Sequence, residues 1–180
     1  LVRWHHPERG LILPDQFIPL AEELGLMTPL GDLILELACA QIKTWQDQGL
    51  PVLRVAVNLS AHQFNQDDLL EHVERSIKGH GLTSDILKVE LTESSVMQDP
   101  ESAARILGQL SAAGVRVAID DFGTGYSSLA YLKRFPLDAL KIDRSFVRDV
   151  THDASDGAIV RTIIALAQHL GLDVVAEGVD

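Results

Sequence analysis

Cysteine is almost absent from this chain. Cys39 stands alone, which excludes an internal disulfide and suits a reducing compartment. No apolar run reaches the roughly 18 residues that would mark a membrane span. The opening LVRWHHPERG lacks the basic-then-apolar layout of a secretory leader. Positive charge is scarce too: 15 Lys and Arg face 26 Asp and Glu, a net charge of −11 with histidine neutral. That balance argues against a surface that grips a nucleic-acid polymer through its phosphates. Repeats, low-complexity tracts and linker-like composition shifts are missing as well, so the 180 residues read as one unit. What remains is 46% hydrophobic and 23% charged, ordinary for a chain that buries a core.

Short apolar runs alternate with amphipathic stretches. Val52–Leu59, Leu87–Leu91, Val115–Ile119, Ala139–Ile142 and Val174–Ala176 read as strands. Thr28-Pro29 opens a helix, as N-cap and first-turn proline, and Gly49 closes it. Asp67–Lys78 reads as a second helix, ended by Gly79, with Asp67, Asp68 and Glu71 favouring its N-terminus. A third runs from Asp99-Pro100 towards Gly114, and a fourth over Ser155–Leu170 to Gly171. Strand and helix in strict turn predict parallel strands joined by crossover helices.

The polar residues choose between an open sheet and a closed barrel. Five successive strands end, on their carboxyl side, in Asn58, Glu90, Asp120-Asp121, Lys141 and Glu177. A (β/α)8 barrel gathers all its strand ends at one mouth, whereas an open sheet would spread them along a line. The predicted fold is therefore an α/β TIM-like barrel. Gathered together, four carboxylates and an amide oxygen suit hard cations such as Mg2+ or Mn2+ better than zinc. Two such ions a few ångströms apart are a common solution to phosphodiester hydrolysis, with one carboxylate of the Asp120-Asp121 pair bridging them. Lys141 would orient the attacking water, help deprotonate it, or balance the charge.

Other motifs carry less. Phe122-Gly123-Thr124-Gly125 holds a Gly-x-Gly, but Ser128 stands where a dinucleotide fingerprint needs its third glycine. Asp121-Phe122-Gly123 lacks the companion loops of a kinase. The plainer reading is a glycine-hinged gating loop at the barrel mouth. His5, His6, His62, His72, His80, His152 and His169 show no metal-binding spacing, and Cys39 reads as a small buried packing residue.

Six segments in order are more specific: Leu1-Val2-Arg3-Trp4, Asn58-Leu59-Ser60, Glu90-Leu91-Thr92-Glu93-Ser94, Asp120-Asp121-Phe122-Gly123-Thr124-Gly125, Leu140-Lys141-Ile142-Asp143 and Ala176-Glu177-Gly178-Val179. Together they closely resemble the EAL domain, a bacterial module that hydrolyses cyclic di-GMP. The resemblance covers residues 1–180 and implies a TIM-like barrel whose first strand runs antiparallel to the rest. It implies that Asn58, Glu90 and Asp120 hold one Mg2+ or Mn2+, and Asp120, Asp121 and Glu177 a second. Lys141 would stand at the nucleophilic water, with Asp121 and Glu177 beside it in catalysis, while Leu1 and Arg3 would contact substrate. Glu93 would anchor the loop 121–128 and keep the metal site in register with a dimer interface. The implied product is linear pGpG.

The family's naming Glu-Ala precedes Leu1, and its last strand and helix region would follow Asp180, so the chain is expected to be part of a barrel of roughly 200–250 residues. The implied partners are cyclic di-GMP, a second copy of the chain through the Tyr131–Phe135 region, and linked sensory or GGDEF domains. The implied setting is the cytoplasm, with the parent protein anchored at the inner membrane in some architectures. A catalytically inactive EAL module acting as a cyclic di-GMP receptor or interaction domain is the competing expectation. Intact Asp-Asp-Phe and Glu-Leu-Thr-Glu motifs favour the enzyme. A lyase working through an enolate is disfavoured, since no second lysine or histidine ends a strand.

Overall fold

The computed structural model describes residues 2–51, 54–125 and 128–179. Leu1, Val52, Leu53, Tyr126, Ser127 and Asp180 lie outside the described residues, and with them the substrate contact expected of Leu1.

The chain opens with an antiparallel hairpin, β1 (Trp4–His6) against β2 (Gly10–Ile12), followed by α1 (Pro14–Glu23) and α2 (Met27–Asp47). Then come β3 (Val55–Asn58), α3 (Ala61–Phe64), α4 (Leu69–Gly79), β4 (Leu87–Thr92), α5 (Glu93–Met97) and α6 (Pro100–Ala112). β5 (Arg116–Phe122), α7 (Leu129–Leu132), β6 (Ala139–Ile142), α8 (Arg144–Arg148), α9 (Ala154–Leu170) and β7 (Asp173–Ala176) complete the order.

Strands β3 to β7 form one sheet, each parallel to the next and paired in sequence order. An open doubly wound sheet reverses its order at a switch point. No reversal occurs here, and right-handed crossovers that always step the same way lay every helix on one side. This is the wall of a TIM-like barrel, as the alternation of strands and helices predicts.

Alternation along each strand divides the sheet into two faces. Val57, Val89, Leu91, Val117, Ile119, Leu140 and Ile142 point towards the helices and are all 4% exposed or less. They pack with Cys39 and Ile42 of α2, Val73 and Ile77 of α4, Leu107 and Leu110 of α6, and Ala167 of α9 in one core. The opposite face carries Ala56, Asn58, Lys88, Glu90, Asp120 and Lys141.

Local signals were obeyed unevenly. Asp99 caps α6 by accepting from the Ser102 N–H (3.1 Å), and Gly171 ends α9 in the left-handed conformation. Thr28 does not cap α2, which begins a residue earlier. Its Oγ1 accepts instead from Gln66 Nε2 at 2.6 Å, a contact 38 residues away. Gly79 is the last residue of α4 rather than its terminator, and Gly81 takes the positive φ. Asp68 makes no side-chain cap either. It sits 3.2 Å from His72, whose other ring nitrogen lies 3.1 Å from Asp32 on α2. His72 therefore has partners that spacing alone did not reveal, and they tie α4 to α2.

Candidate active site

Register brings the strand ends together. Asn58 pairs with Glu90, and Thr92 with Asp120, so the polar positions climb the inner face in adjacent rows. From β6, Lys141 reaches across both. Its Nζ lies 2.7 Å from Glu90 Oε2, 2.9 Å from Asp120 Oδ2 and 2.6 Å from Glu177 Oε1. Its side chain is only 11% exposed, and those of Glu90 and Asp120 are covered to about the same degree. Burial pulls the Lys141 ammonium down, but its hydrogen bonds to Glu177, Glu90 and Asp120 outweigh that and hold it above the ordinary lysine range. In this arrangement Lys141 is a donor and a counter-charge, not a base.

Adjacent residues of a regular strand face opposite ways, so Asp120 and Asp121 should not share a site. A register shift between Ile119 and Phe122 resolves this, and Asp121 adopts a φ of +53°. Aspartate tolerates that left-handed conformation better than most residues, and such bulges re-aim side chains. The Asp121 N–H donates to Asp120 Oδ1 at 2.9 Å. Burial, then the charges of Asp120, Asp143 and Glu177, hold the Asp121 carboxyl above the usual range. Asp120, Asp121 and Glu177 offer carboxylate oxygens that all lie within 4.8 Å of one another. An all-oxygen donor set of this kind fits a hard divalent cation.

The loop beyond β5 is held from below. β4 runs directly into α5, where Thr92 accepts from the Ser95 N–H at 3.3 Å, and this places Glu93 under the loop. Glu93 is 1% exposed, and its Oε2 accepts from the N–H groups of Gly123 (2.8 Å) and Gly125 (3.3 Å). Its Oε1 has no partner among the described residues. Gly123 has φ +103°, and a Cβ there would fall 3.0 Å from the Phe146 ring and 3.2 Å from Ile163. Phe122 is buried while Thr124 is exposed, its hydroxyl donating to the Asp121 carbonyl at 2.8 Å.

The structure does not gather every expected residue. Asn58 stands beside Glu90 in register but is exposed. Arg3 lies at the flank, by Val55 to Val57 of β3 and at the rim of an apolar groove of about 550 Å³ framed by Phe17, Leu20, Leu33 and Leu37. Its Nη1 donates to the Val2 carbonyl at 2.9 Å.

Two supports were missed. Asp143 caps α8 through Ser145, whose hydroxyl hydrogen-bonds it and holds its carboxyl low, and its charge helps to hold the Asp121 carboxyl up. A carboxylate two residues past Lys141 was its signal. Gln63 closes a capping box with Ser60 just after β3, and only a glycine at position 31 leaves room for it, since a Cβ there would sit 1.6 Å from Gln63 Nε2.

The chain is similar to known proteins in sequence and in fold. Over all 180 residues the chain is 50% identical to MucR of Pseudomonas aeruginosa, a bifunctional diguanylate cyclase/cyclic di-GMP phosphodiesterase. It is 46% identical to NbdA of the same species, a cyclic di-GMP phosphodiesterase. The chain spans 26% and 23% of those two proteins. The solved PaMucR phosphodiesterase in complex with c-di-GMP superposes with a TM-score of 0.95 at 50% identity, covering all of this chain and 73% of that one. The family model for the EAL domain matches residues 1–180 from end to end, and the chain belongs to that family.

Proposed function

We propose that this chain forms the catalytic body of a cation-dependent phosphodiesterase that hydrolyses one 3′–5′ phosphodiester of cyclic di-GMP to linear pGpG. The observation that carries this reading is the meeting of Asp120, Asp121 and Glu177 within 4.8 Å at the strand ends, with Glu90 and Lys141 hydrogen-bonded into the same group. The names of the relatives at 50% and 46% identity supply the substrate.

In this reading Asn58, Glu90 and Asp120 hold one Mg2+ or Mn2+, and Asp120, Asp121 and Glu177 a second. Bound cations of this kind activate water and steady the leaving oxygen. The chain's own groups do the rest. Asp121 and Glu177 would take the proton of the attacking water, and Lys141 Nζ would donate a hydrogen bond to that water. The Asp143 charge raises the proton affinity of the Asp121 carboxylate. Arg3 supplies a guanidinium suited to paired phosphate oxygens, and Leu1 is the second residue assigned to substrate contact. Glu93 anchors Phe122 to Gly125 as a gating loop.

By the same reading residues 1–180 are the greater part of an EAL phosphodiesterase domain in a cytoplasmic portion of a longer protein. Sensory or GGDEF domains are linked to it, and the parent is tethered to the inner membrane in some arrangements. No described helix is long and apolar enough to cross a membrane. Leu129 (61% exposed) and Tyr131, which stacks on Phe135 at 6.5 Å, offer an apolar patch for a homodimer.

The test is to incubate the full-length protein with cyclic di-GMP and Mg2+ or Mn2+ and follow pGpG by chromatography. Accumulating pGpG supports the enzyme. Tight nucleotide binding without product at any cation concentration would make the module a receptor.

A further inference from the structure

Asp120 and Glu177 are wanted twice. They belong to the carboxylate trio that fits a cation, and they are also partners of the Lys141 ammonium, at 2.9 and 2.6 Å. Glu90 takes the third contact at 2.7 Å, so all three ammonium donors are engaged. Contacts of this length between charged groups are strong hydrogen bonds, and at 11% exposure little water screens them. Without a positive charge at that point, Glu90, Asp120 and Glu177 would repel one another. A lysine stem is flexible and its ammonium is a point charge, so it can leave one oxygen for another without moving its strand.

We infer that Lys141 is a resident stand-in for the metal: it gathers Glu90, Asp120 and Glu177 in the cation-free protein and withdraws from Asp120 and Glu177 when a divalent cation takes those oxygens. The inference rests on the cation reading above. At the Asp120, Asp121 and Glu177 position it makes cation binding an exchange of one positive charge for another, so the affinity there is the cation's gain less the loss of two ammonium contacts. It also times the lysine. The ammonium turns from the carboxylates to the space beside them, where water and a phosphate would sit, only once the site is loaded. A cation-free protein would keep its strand ends aligned yet leave Lys141 occupied.

The experiment measures Mn2+ affinity by calorimetry on the full-length protein and on its Lys141→Gln and Lys141→Arg variants, with melting curves to confirm folding. Lys141→Gln should bind Mn2+ about tenfold more tightly, because one positive charge has left the cluster. It should also melt lower than wild type without metal and close that gap when loaded. Lys141→Arg should stay near wild type. If Lys141→Gln bound Mn2+ no more tightly than wild type, the exchange would be refuted. Failure of the wild type itself to bind Mn2+ would instead sink the cation reading. A second measurement needs no variant: lysine labelling of the wild type, read by mass spectrometry, should modify Lys141 several-fold faster once Mn2+ is added. An unchanged rate overturns the inference.

Discussion

The two faces of the five-stranded sheet solve opposite problems with alternate residues of the same strands. On the helix-covered face Val89, Leu91, Val117 and Leu140 are fully buried among helices. One residue away, Glu90, Asp120 and Lys141 set like charges a few ångströms apart around one ammonium. Burial on the first face supplies the stability that the second expends, since converging carboxylates are costly unless paired. The lesson is that the site is held from behind. Strand register and one bulge bring its side chains to one place, and the contacts of Lys141 then gather the carboxylates.

The largest effect that would sharpen this division is on the inner face. Asp120→Asn should lower cyclic di-GMP turnover by about 10²–10³-fold or more, as losing a group that stabilises transition-state charge does, while leaving the melting temperature nearly unchanged. Chromatography and a thermal melt on the same sample decide it. A variant that lost activity only by unfolding would show that the inner face also carries the fold. On the other face Leu140→Ala should cost about 2–5 kcal/mol of stability by opening a cavity in the core, read by urea unfolding, with activity kept by the molecules that stay folded.

At the border of the two faces lies Gly123. Gly123→Ala forces a Cβ into a φ of +103° and against Phe146 and Ile163, and should cost about 1–3 kcal/mol. Its turnover should fall further than its stability, because the loop that carries Asp121 shifts with it.

The smallest effect is a titration behind the sheet. Burial, then the nearby Glu36 charge, pushes the Cys39 thiol from 9.0 up to about 11. The folded protein thus holds that proton more tightly than the unfolded chain. The stability this contributes is complete below about pH 9 and lost as pH rises towards 11. Urea midpoints across that window should fall less steeply in Cys39→Ala than in wild type.

Much of this was legible in the sequence because it follows from period and order. Alternating strands and helices predicted parallel pairing, and the polar residue ending each strand predicted the shared mouth. Long-range packing decided what local signals could not. Thr28 looked like a cap until Gln66 claimed its hydroxyl. The N-terminal hairpin and α1 lack the long periodic pattern that reveals α9. Asp120 and Asp121 were expected side by side, but only the bulge and positive φ at Asp121 explain how neighbours on one strand reach one site. The three partners of Lys141 come from three other strand ends and could be seen only once the sheet was assembled.

On the cation reading, the inner-face carboxylates act together through bound cations. Its most direct test removes divalent metal from the full-length protein with a chelator, then restores Mn2+ stepwise while pGpG release from cyclic di-GMP is followed. Turnover should vanish with the metal and return as Mn2+ is added, with Asp120→Asn failing to recover at the same concentrations. Hydrolysis that persisted at full rate in the chelated protein would refute a role for bound cations.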